Sequence, residues 1–426
     1  MCRCRVLSCL IVLFALLLGE ASAADLKIKV LDPRSAPVAG AQVELFAPGS
    51  ATSSASSTSA EGVAVLKNLN APSYRLRVRA PGFATAETDI SGGTGFLTIA
   101  LRIAPAAETV SVTATRTPVP NEESGANVET LTAGKLETMN PVAANDALRF
   151  LPGAVVNTAG QRGGLASLFV QGGNSNYNKV IVDGVTVNEP GGTFDFGTLP
   201  LTEADQVEFM RGAQSTLYGS DAMTSVVQVW TKTGSTPTPE LRLSGDGGNL
   251  GSSNGNASLS GARGPFDYDL FADEFYTAGQ GVNDAYSDSL QGVNMGVDLG
   301  DRAALRLRLR HSNSYTGVQG EWNFNGAPLM APDLYQYARL NDLLGNLELT
   351  VKGPSGWQHR FSGFDYRQDQ NNVNLQTTPG RISPAYGNVD FPFHDIAKIN
   401  RAGFEYEGDY SERSWAHTTV GYRFED

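Results

Sequence analysis

Cysteine and histidine are scarce in this sequence, and their scarcity removes several kinds of chemistry. The 426 residues include three cysteines and four histidines. The cysteines all lie before residue 24, so the rest of the chain has neither a disulfide nor a reactive thiolate. The histidines, His311, His359, His394 and His417, do not have the spacing of a metal site. We therefore expect no metal and no cofactor.

Long hydrophobic runs are also missing. The apolar run Leu10–Leu18 is too short to cross a bilayer as a helix, and no later run approaches the roughly 20 residues that a helix needs. Arg3 and Arg5 precede this run and Ala-Ser-Ala at 21–23 follows it, which is the pattern of a secretory signal peptide over residues 1–23. If the chain spans a membrane, it does so with strands.

Basic charge is in the minority as well. The formal net charge is −12, which argues against a nucleic-acid partner. The Gly-rich stretch Gly245–Gly251 is not followed by the Lys-Thr and helix of a phosphate-binding loop. No arrangement of nucleophile, base and orienting group is present, so we expect no enzyme.

What the chain has is alternation of apolar and polar residues, beginning with a predicted β-sandwich over residues 24–104. The alternating runs are Leu26–Val30, Ala41–Leu45, Gly62–Leu66, Tyr74–Val78 and Phe96–Leu101. The Ser/Thr/Ala stretch Ser50–Ala60 separates two of them. Pro37–Ala41, Asn68–Asn70 and Tyr74–Phe83 resemble carboxypeptidase-regulatory-like, transthyretin-type domains.

The most specific pattern lies further along. Glu208–Met223 resembles the closing motif of the plug domain of TonB-dependent outer-membrane receptors. Four shorter motifs accompany it in the family's order: Leu151–Gly153, Phe169–Gly172, Val182–Val185 and Trp230–Lys232. The combination is specific although each member is weak, and it implies a mixed α/β plug over residues 117–234. The chain departs from the family at Gln171-Gly172, where Arg-Gly is usual, and at Met223–Ser225, where a second Gly pair is usual.

The resemblance also implies roles for individual residues. The plug-motif residues are Asp183, Gly184, Glu208, Arg211, Gly212, Tyr218 and Gly219. Arg211 would pair with carboxylates of a surrounding wall and hold the plug shut; the alternative is a solvated strand arginine. Gln171 replaces the second arginine that the family supplies.

Two loops of the plug are candidates for ligand contact. They run from Gly160 to Gly164 and from Gly172 to Tyr177, and the residues with suitable side chains are Gln161, Arg162, Asn174, Asn176 and Tyr177. Family plugs present such loops to the exterior, but flexible connectors without contact are an equal alternative. Helical spacing is found at Ala133–Met139 and Asn145–Phe150, with Asn145 as a possible N-cap.

A short extended segment precedes the plug, in a linker over residues 105–116. It reads Glu108, Thr109, Val110, Ser111, Val112, Thr113 and Ala114, and it is similar to the TonB box of the family. Such a box adds as a strand to the energy-transducing partner TonB. A last sandwich strand or a plain linker is the alternative.

Residues 235–426 show repeated alternation with aromatic residues near the segment ends, which is typical of transmembrane β-strands. Arg306, Arg308 and Arg310 alternate with leucines, so a strand would send the two kinds of side chain to opposite faces. About nine such segments can be counted, against the 22 strands of the family's closed barrel. An open sheet would leave unsatisfied edges in lipid, so we expect a fragment of a longer receptor or a truncated gene product.

Together these patterns predict a mainly β chain: a transthyretin-like sandwich, a mixed α/β plug and the first part of an antiparallel transmembrane barrel over residues 235–426. The resemblance implies a receptor of the outer membrane with its N-terminal domain in the periplasm. Its partners would be TonB, outer-membrane lipid and a small-to-medium ligand such as a siderophore, a cobalamin or a saccharide. A truncated, non-transporting binding module is the alternative; a hydrolase is disfavoured by the missing metal ligands.

Overall fold

A computed structural model describes residues 24–33, 35–46, 53–69, 73–80, 83, 86–91, 95–102, 110–111, 119–120, 127–320, 330–383, 387–388, 390–413 and 416–426. The predicted signal peptide lies outside these residues. The chain divides into two compact units, Met1–Glu108 and Thr109–Asp426.

The first unit is built from two small sheets. Its strands are β1 (Ala24–Leu31), β2 (Gln42–Phe46), β3 (Ser53–Ser57), β4 (Val63–Leu69), β5 (Ser73–Arg79), β6 (Ala86–Ser91) and β7 (Gly95–Ala100). One sheet has the order β4-β1-β7 and the other β3-β2-β5-β6. Their alternating apolar residues form one core, in which Ile28, Val43 and Leu76 are fully buried. The alternating sequence therefore forms a two-sheet core, as expected for a sandwich.

Two of these strands were not among the predicted runs. β3 lies inside the Ser/Thr/Ala stretch that we interpreted as a separator, so that interpretation was wrong. β3 pairs along its whole length with β2, and the main-chain ladder needs no apolar side chain. β6 has no buried residue, which explains why it gives no hydrophobic signal.

The second unit contains the plug. β8 (Val110–Ser111) lies in the predicted linker before the plug, and the plug strands are β9 (Val119–Pro120), β10 (Asn127–Thr132), β11 (Ala154–Thr158), β12 (Ala166–Val170), β13 (Asn178–Val182), β14 (Val185–Thr186), β15 (Ala204–Arg211) and β16 (Ser225–Thr231). Its helices are Ala133–Met139, Ala144–Leu148 and Ser215–Tyr218, with a 3-10 turn at Ser175–Tyr177. A five-stranded sheet in the order β10-β15-β16-β13-β14 is its centre, so the predicted mixed α/β plug is confirmed.

One helix differs from the prediction at its start. The second helix begins at Ala144 and has Ala143 as its N-cap residue, so Asn145 is not the cap. The first two helical N–H groups, of Ala144 and Asn145, donate to the carbonyls of Leu199 and Phe196 at 2.8 and 3.1 Å. Asp146 reaches back, and its Oδ2 accepts the N–H groups of Val142 at 3.3 Å and Ala143 at 3.4 Å. Asn145 lies within the helix and is buried, 8% exposed.

A nine-stranded antiparallel sheet, called the wall below, follows the plug. Its strands in order are β17 (Glu240–Gly247), β18 (Ser253–Arg263), β19 (Phe266–Thr277), β20 (Tyr286–Leu299), β21 (Ala303–Gly317), β22 (Tyr337–Lys352), β23 (Trp357–Asn374), β26 (Phe393–Arg413) and β27 (Ala416–Glu425). The short strands β24 (Ile382–Ser383) and β25 (Gly387–Asn388) pair only with each other. Each wall strand pairs with its sequence neighbour in the sheet, which is the connectivity of an up-and-down barrel wall.

The two faces of the wall differ in polarity. Large apolar side chains are exposed on one face, among them Leu241, Leu243, Leu309, Leu347, Phe361, Phe404, Val420 and Phe424. Polar and charged side chains are buried on the other face, among them Asp269, Asp288, Asn294, Arg310, Asn346 and Glu407. Strand geometry separates the leucines from the arginines of β21 as predicted, so the wall has one apolar and one polar face.

The connections at the two ends of the wall differ in length. One end has the short connections 264–265, 300–302, 353–356 and 414–415, and the other has 248–252, 278–285, 318–336 and 375–392. In outer-membrane barrels the short turns face the periplasm, so we call the second end the long-loop end. Among the described residues no helix is long and apolar enough to cross a membrane.

Candidate functional site

The hairpin between β13 and β14 brings the plug against the wall. Val182 pairs with Val185, which leaves Asp183 and Gly184 as a two-residue turn. Their φ angles are 49° and 84°, both in the left-handed region, as a type I′ turn requires. Asp-Gly is a preferred sequence for this turn, so the short motif recognised in the sequence has a local structural reason.

The Asp183 side chain is enclosed between plug and wall and is 1% exposed. Its Oδ1 accepts hydrogen bonds from the N–H and the hydroxyl of Thr231, both at 3.0 Å. Arg308 on β21 brings its Nε to 3.8 Å from the same oxygen. A buried carboxylate needs such partners, so Asp183 ties the hairpin to β16 within the plug and to the wall.

Arg308 is itself shared between plug and wall. Its guanidinium lies over the ring of Trp230, 5.5 Å from the centroid. It also pairs with Glu348 on β22, at 3.6 Å. Arg308 therefore connects two strands of the wall to the central plug strand β16 and to the β13–β14 turn.

Most of the polar contacts across this interface run in one direction, from donors on the wall to main-chain carbonyls of the plug. Asn346 donates to the carbonyl oxygen of Asp183 at 2.7 Å, and Asn294 donates to that of Lys232 at 2.9 Å. Arg401 donates to the carbonyls of Thr186 at 2.8 Å and Asn188 at 3.0 Å. Arg310 donates to that of Pro200. Water can replace every one of these bonds. Three apolar side chains of the wall, Leu344, Phe364 and Tyr366, also pack into the hydrophobic cluster of the plug.

The closing motif has the predicted strand-turn-strand form, with a single helical turn inserted. Gly212 and Gly219 have φ angles of 108° and 78°, which only glycine adopts easily, and Tyr218 between them is buried, 6% exposed. Glu208 lies inside β15, fully buried, and accepts a hydrogen bond from Gln206.

Within the described residues Arg211 makes its contacts inside the plug, and its pairing with wall carboxylates stays a prediction. Its guanidinium donates to the side chain of Asn127 on the neighbouring strand β10, and its side chain lies beside Gly153. Among the residues that the structure describes, no carboxylate pairs with it. The charge pairs at the interface are instead supplied by wall arginines such as Arg308. Gln171, at the other family arginine position, is exposed.

The two predicted ligand loops make different contacts. Gln161 donates to the carbonyl of Gly317 at 2.5 Å, which places the first loop at the long-loop end of the wall. Arg162 pairs instead with Asp146 of the plug, at 2.5 Å.

The second loop is held within the plug. Asn176 donates to the carbonyl of Gly191 at 3.1 Å. The carbonyl of Tyr177 accepts the N–H groups of Met223 and Thr224 at 3.1 and 3.0 Å. Asn174, which precedes the 3-10 turn, is exposed.

A cavity of about 100 Å³ lies between the plug and the long-loop half of the wall. Its lining includes Glu189, Phe194 and Asp195 from the plug and Arg310, Asp342 and Tyr366 from the wall. Asp195 accepts the N–H groups of Ala166 and Gly197, both at 2.8 Å. Burial nevertheless raises the pKa of Asp195 to about 6, with Glu189 adding to the rise. The cavity is therefore lined by both apolar and polar groups, among them a carboxyl group whose pKa is raised by burial.

The predicted TonB box is only partly visible. Val110 and Ser111 form β8, which pairs with Val119 and Pro120. Glu108, Thr109, Val112, Thr113 and Ala114 lie outside the described residues. Within the described part of the chain, no group of three or more His, Cys, Asp or Glu side chains is arranged to hold a metal ion.

The sequence did not identify several interface residues. Asn188, Asn294, Asn346 and Arg401 were not singled out, because single polar residues in strands give no pattern. The alternation of β21 identified the face of Arg308 but not its partner.

Comparison with known families identifies two domains. Residues 120–226 match the TonB-dependent Receptor Plug Domain. Residues 25–102 match the Carboxypeptidase regulatory-like domain. Both domains are those that the sequence resembles.

Curated relatives match the chain over a limited length. The vitamin B12 transporter BtuB of Vibrio cholerae serotype O1 is 40% identical over 126 residues, which is 29% of this chain and 21% of that protein. BtuB of Vibrio vulnificus is 35% identical over 125 residues, 29% of this chain and 20% of that protein. The match thus spans about a fifth of these relatives.

Solved structures with the same fold cover more of the chain. The ferric yersiniabactin uptake receptor FyuA from Yersinia pestis has a TM-score of 0.57 at 16% identity, over 70% of this chain and 48% of that one. The FrpB iron transporter from Neisseria meningitidis has a TM-score of 0.55 at 14% identity, over 70% and 48%. The chain therefore spans about half the length of these receptors. The chain therefore contains a plug domain of the TonB-dependent receptor type and a carboxypeptidase regulatory-like domain, and its plug and wall share the fold of solved receptors.

Proposed function

We propose that the chain acts in import across the outer membrane, as the receptor for a large and scarce ligand that is admitted by displacement of the plug. The observation that carries this proposal is the polar interface between plug and wall. Wall side chains donate hydrogen bonds to plug carbonyls, as Asn346 does to Asp183 and Arg401 to Thr186. Such contacts fix one docked position, yet water can satisfy the same groups after displacement.

The ligand class follows from the relatives and the long-loop end. The named relatives transport vitamin B12 or ferric chelates, so a siderophore or a cobalamin is proposed here, with a saccharide as a further candidate. The cavity of about 100 Å³ that Asp195 and Arg310 line is smaller than any of these ligands. We propose that it is the floor of the binding region, with Gln161, Asn174, Asn176 and Tyr177 as neighbouring contacts.

Energy would come from the partner TonB through the box at Glu108–Ala114. We propose that the box pairs as a strand with TonB in the periplasm, that residues 24–104 form a periplasmic domain, and that residues 117–234 and 235–426 are plug and wall. The apolar outer face of the wall, with Leu243 71% exposed, is suited to outer-membrane lipid. No catalytic step is part of the proposal.

The test is a proline in the box. Val112→Pro removes one main-chain donor and fixes φ, so we expect energised uptake in cells to be lost while ligand binding at the surface stays near the parental level. Val112→Ile is the control and keeps uptake, because it retains the main-chain donor. Uptake by the proline variant at the parental rate would exclude this segment as the TonB box.

A second function, a non-transporting binding module, is distinguished by the same measurements. It predicts surface binding of a cobalamin or a ferric siderophore with no energised uptake in the parental protein. Surface binding and uptake of a cobalamin and of a ferric siderophore, measured in parallel in the parental protein, separate the two functions before any variant is made.

A further inference from the structure

The edge of the plug sheet is completed by an arginine of the wall. β14 is the last strand of the five-stranded sheet, so its outer carbonyls have no neighbouring strand to accept from. Arg401 on β26 takes that place, since its two terminal nitrogens donate to Thr186 O at 2.8 Å and Asn188 O at 3.0 Å. A planar guanidinium can reach two carbonyls at once, which an ammonium group does less well.

Arg401 is held in this orientation by acidic groups on its own side of the interface. Its Nε is 2.9 Å from Glu425 on β27, and its side chain is 13% exposed. Arg423 pairs with the same Glu425 at 2.9 Å and donates to the hydroxyl of Thr186 at 3.3 Å. The wall therefore presents a fixed pair of arginines to one short strand of the plug.

On the plug side, the contact leads directly to a buried amide. Asn188 is 1% exposed, and its Oδ1 accepts the N–H of Val180 at 2.7 Å. Its Nδ2 donates to Asn178 O at 2.9 Å and to Gly192 O at 3.0 Å. Asn188 thus joins the strand held by Arg401 to the loop at 189–193.

The loop at 189–193 in turn contacts a predicted ligand loop. Asn176 donates to Gly191 O at 3.1 Å, and Asn178 donates to Ser175 O at 3.0 Å. A ligand that moved the 174–177 loop would pull on groups that share partners with Asn188. The path from loop to wall is therefore a continuous set of hydrogen bonds within 174–193.

We propose that Arg401 is the positioning residue that keeps the β13–β14 hairpin docked, and that Asn188 couples this docking to the loops at 174–177 and 189–193. The device has two states, in which the carbonyls of Thr186 and Asn188 are bound either by Arg401 or by water. The inference deepens the proposed import function. Its test needs neither ligand nor TonB, so a failure of uptake and a failure of this proposal are separate results.

The experiment is hydrogen exchange of the full chain, read by peptide. Arg401→Gln removes charge-assisted bonds, so exchange over residues 178–193 is expected to rise about tenfold or more, with little change in β15. Arg367→Gln is the matched control, because Arg367 on the adjacent β23 is 62% exposed and pairs only with Asp365 among the described residues. Equal exchange over 178–193 in the two variants would overturn the proposal.

Two further variants keep the test decisive. If Arg401→Gln also speeds exchange throughout the wall, Arg401→Lys, which keeps the charge, becomes the deciding variant. Faster exchange over residues 178–193 in Arg401→Lys than in the parental protein supports the proposal, and exchange at the parental rate contradicts it. Asn188→Asp keeps the acceptor for Val180 and loses both donors. Combined with the arginine change, it should raise exchange by less than the product of the single effects, whereas the full product would show that the two sites are independent.

Discussion

The interior of the plug and its boundary with the wall are packed in opposite ways. The interior buries apolar side chains completely, among them Leu148, Phe209 and Val227. The boundary buries many polar and charged side chains, among them Asp183, Asn294 and Arg310, although the apolar cluster of the plug continues there into Leu344, Phe364 and Tyr366 of the wall. The free-energy cost of exposing apolar groups to water is not offset by new interactions, whereas a broken hydrogen bond can be replaced by one to water. Separating the plug from the wall would therefore expose fewer apolar groups than unfolding the plug would.

The largest predicted effect tests the interior. Phe209→Ala should lower the free energy of unfolding of the plug by about 3–5 kcal/mol, because it leaves a cavity at a fully buried position. Phe150→Ala is the control, since Phe150 is 73% exposed and should change stability by about 0.5 kcal/mol or less. Denaturant unfolding of the full chain, monitored by limited proteolysis of the plug, gives the change in unfolding free energy for each variant. Similar losses in the two variants would contradict the distinction between core and surface.

The next effect tests the boundary at its most enclosed carboxylate. Asp183→Ala leaves the N–H of Thr231 without its acceptor and places alanine at a φ of 49°, for a cost of about 2–3 kcal/mol. Asp183→Asn keeps an acceptor oxygen and tolerates this φ, so it should cost less. Exchange protection of Thr231 is the measurement; equal loss of protection in both variants would show that the acceptor is not what matters.

A smaller effect is expected from the backbone of the same turn. Gly184 has a φ of 84°, and a Cβ there would lie 3.2 Å from the amide nitrogen of Asn346. Gly184→Ala should therefore cost about 1–2 kcal/mol. Gly134→Ala is the control, because Gly134 is helical and a Cβ there meets no atom within 4 Å. Thermal unfolding gives the melting temperature of each variant. A lower melting temperature for Gly134→Ala than for Gly184→Ala would contradict this prediction.

A further prediction concerns pH. Burial raises the pKa of Asp195 from 3.8 to about 6, so the folded plug holds this proton more tightly than the unfolded chain does. The resulting stability is fully present below pH 3.8 and is lost as pH rises through 6. Asp195→Asn keeps the acceptor for Ala166 and Gly197 and should flatten the pH dependence of unfolding between pH 4 and 7. An unchanged pH profile in the asparagine variant would assign the dependence to other groups.

Much of the architecture followed from local patterns. Alternation predicted the runs that form β1, β2, β4, β5 and β7. It also predicted about nine wall segments, and the described wall is one sheet of nine strands. The helix at Ala133–Met139 was predicted with its observed bounds. β3 was missed because its pairing with β2 comes from the main chain alone. Asn145 was misassigned as an N-cap because the helix begins one residue earlier, and carbonyls of Leu199 and Phe196, distant in sequence, bind its first N–H groups.

The sequence by itself determined which residues alternate, where glycine permits a turn, and which family the motifs resemble. These are short-range properties, fixed by the two-residue period of a strand and by left-handed φ at positions such as Gly184. Only the tertiary structure decided the partners: Arg308 meets Asp183, Arg401 meets Thr186 and Asn188, and Arg211 meets Asn127. The residues of each pair are more than eighty positions apart in the sequence. Which partner a charged side chain meets depends on which strands the fold brings together, and a local sequence pattern does not contain that information.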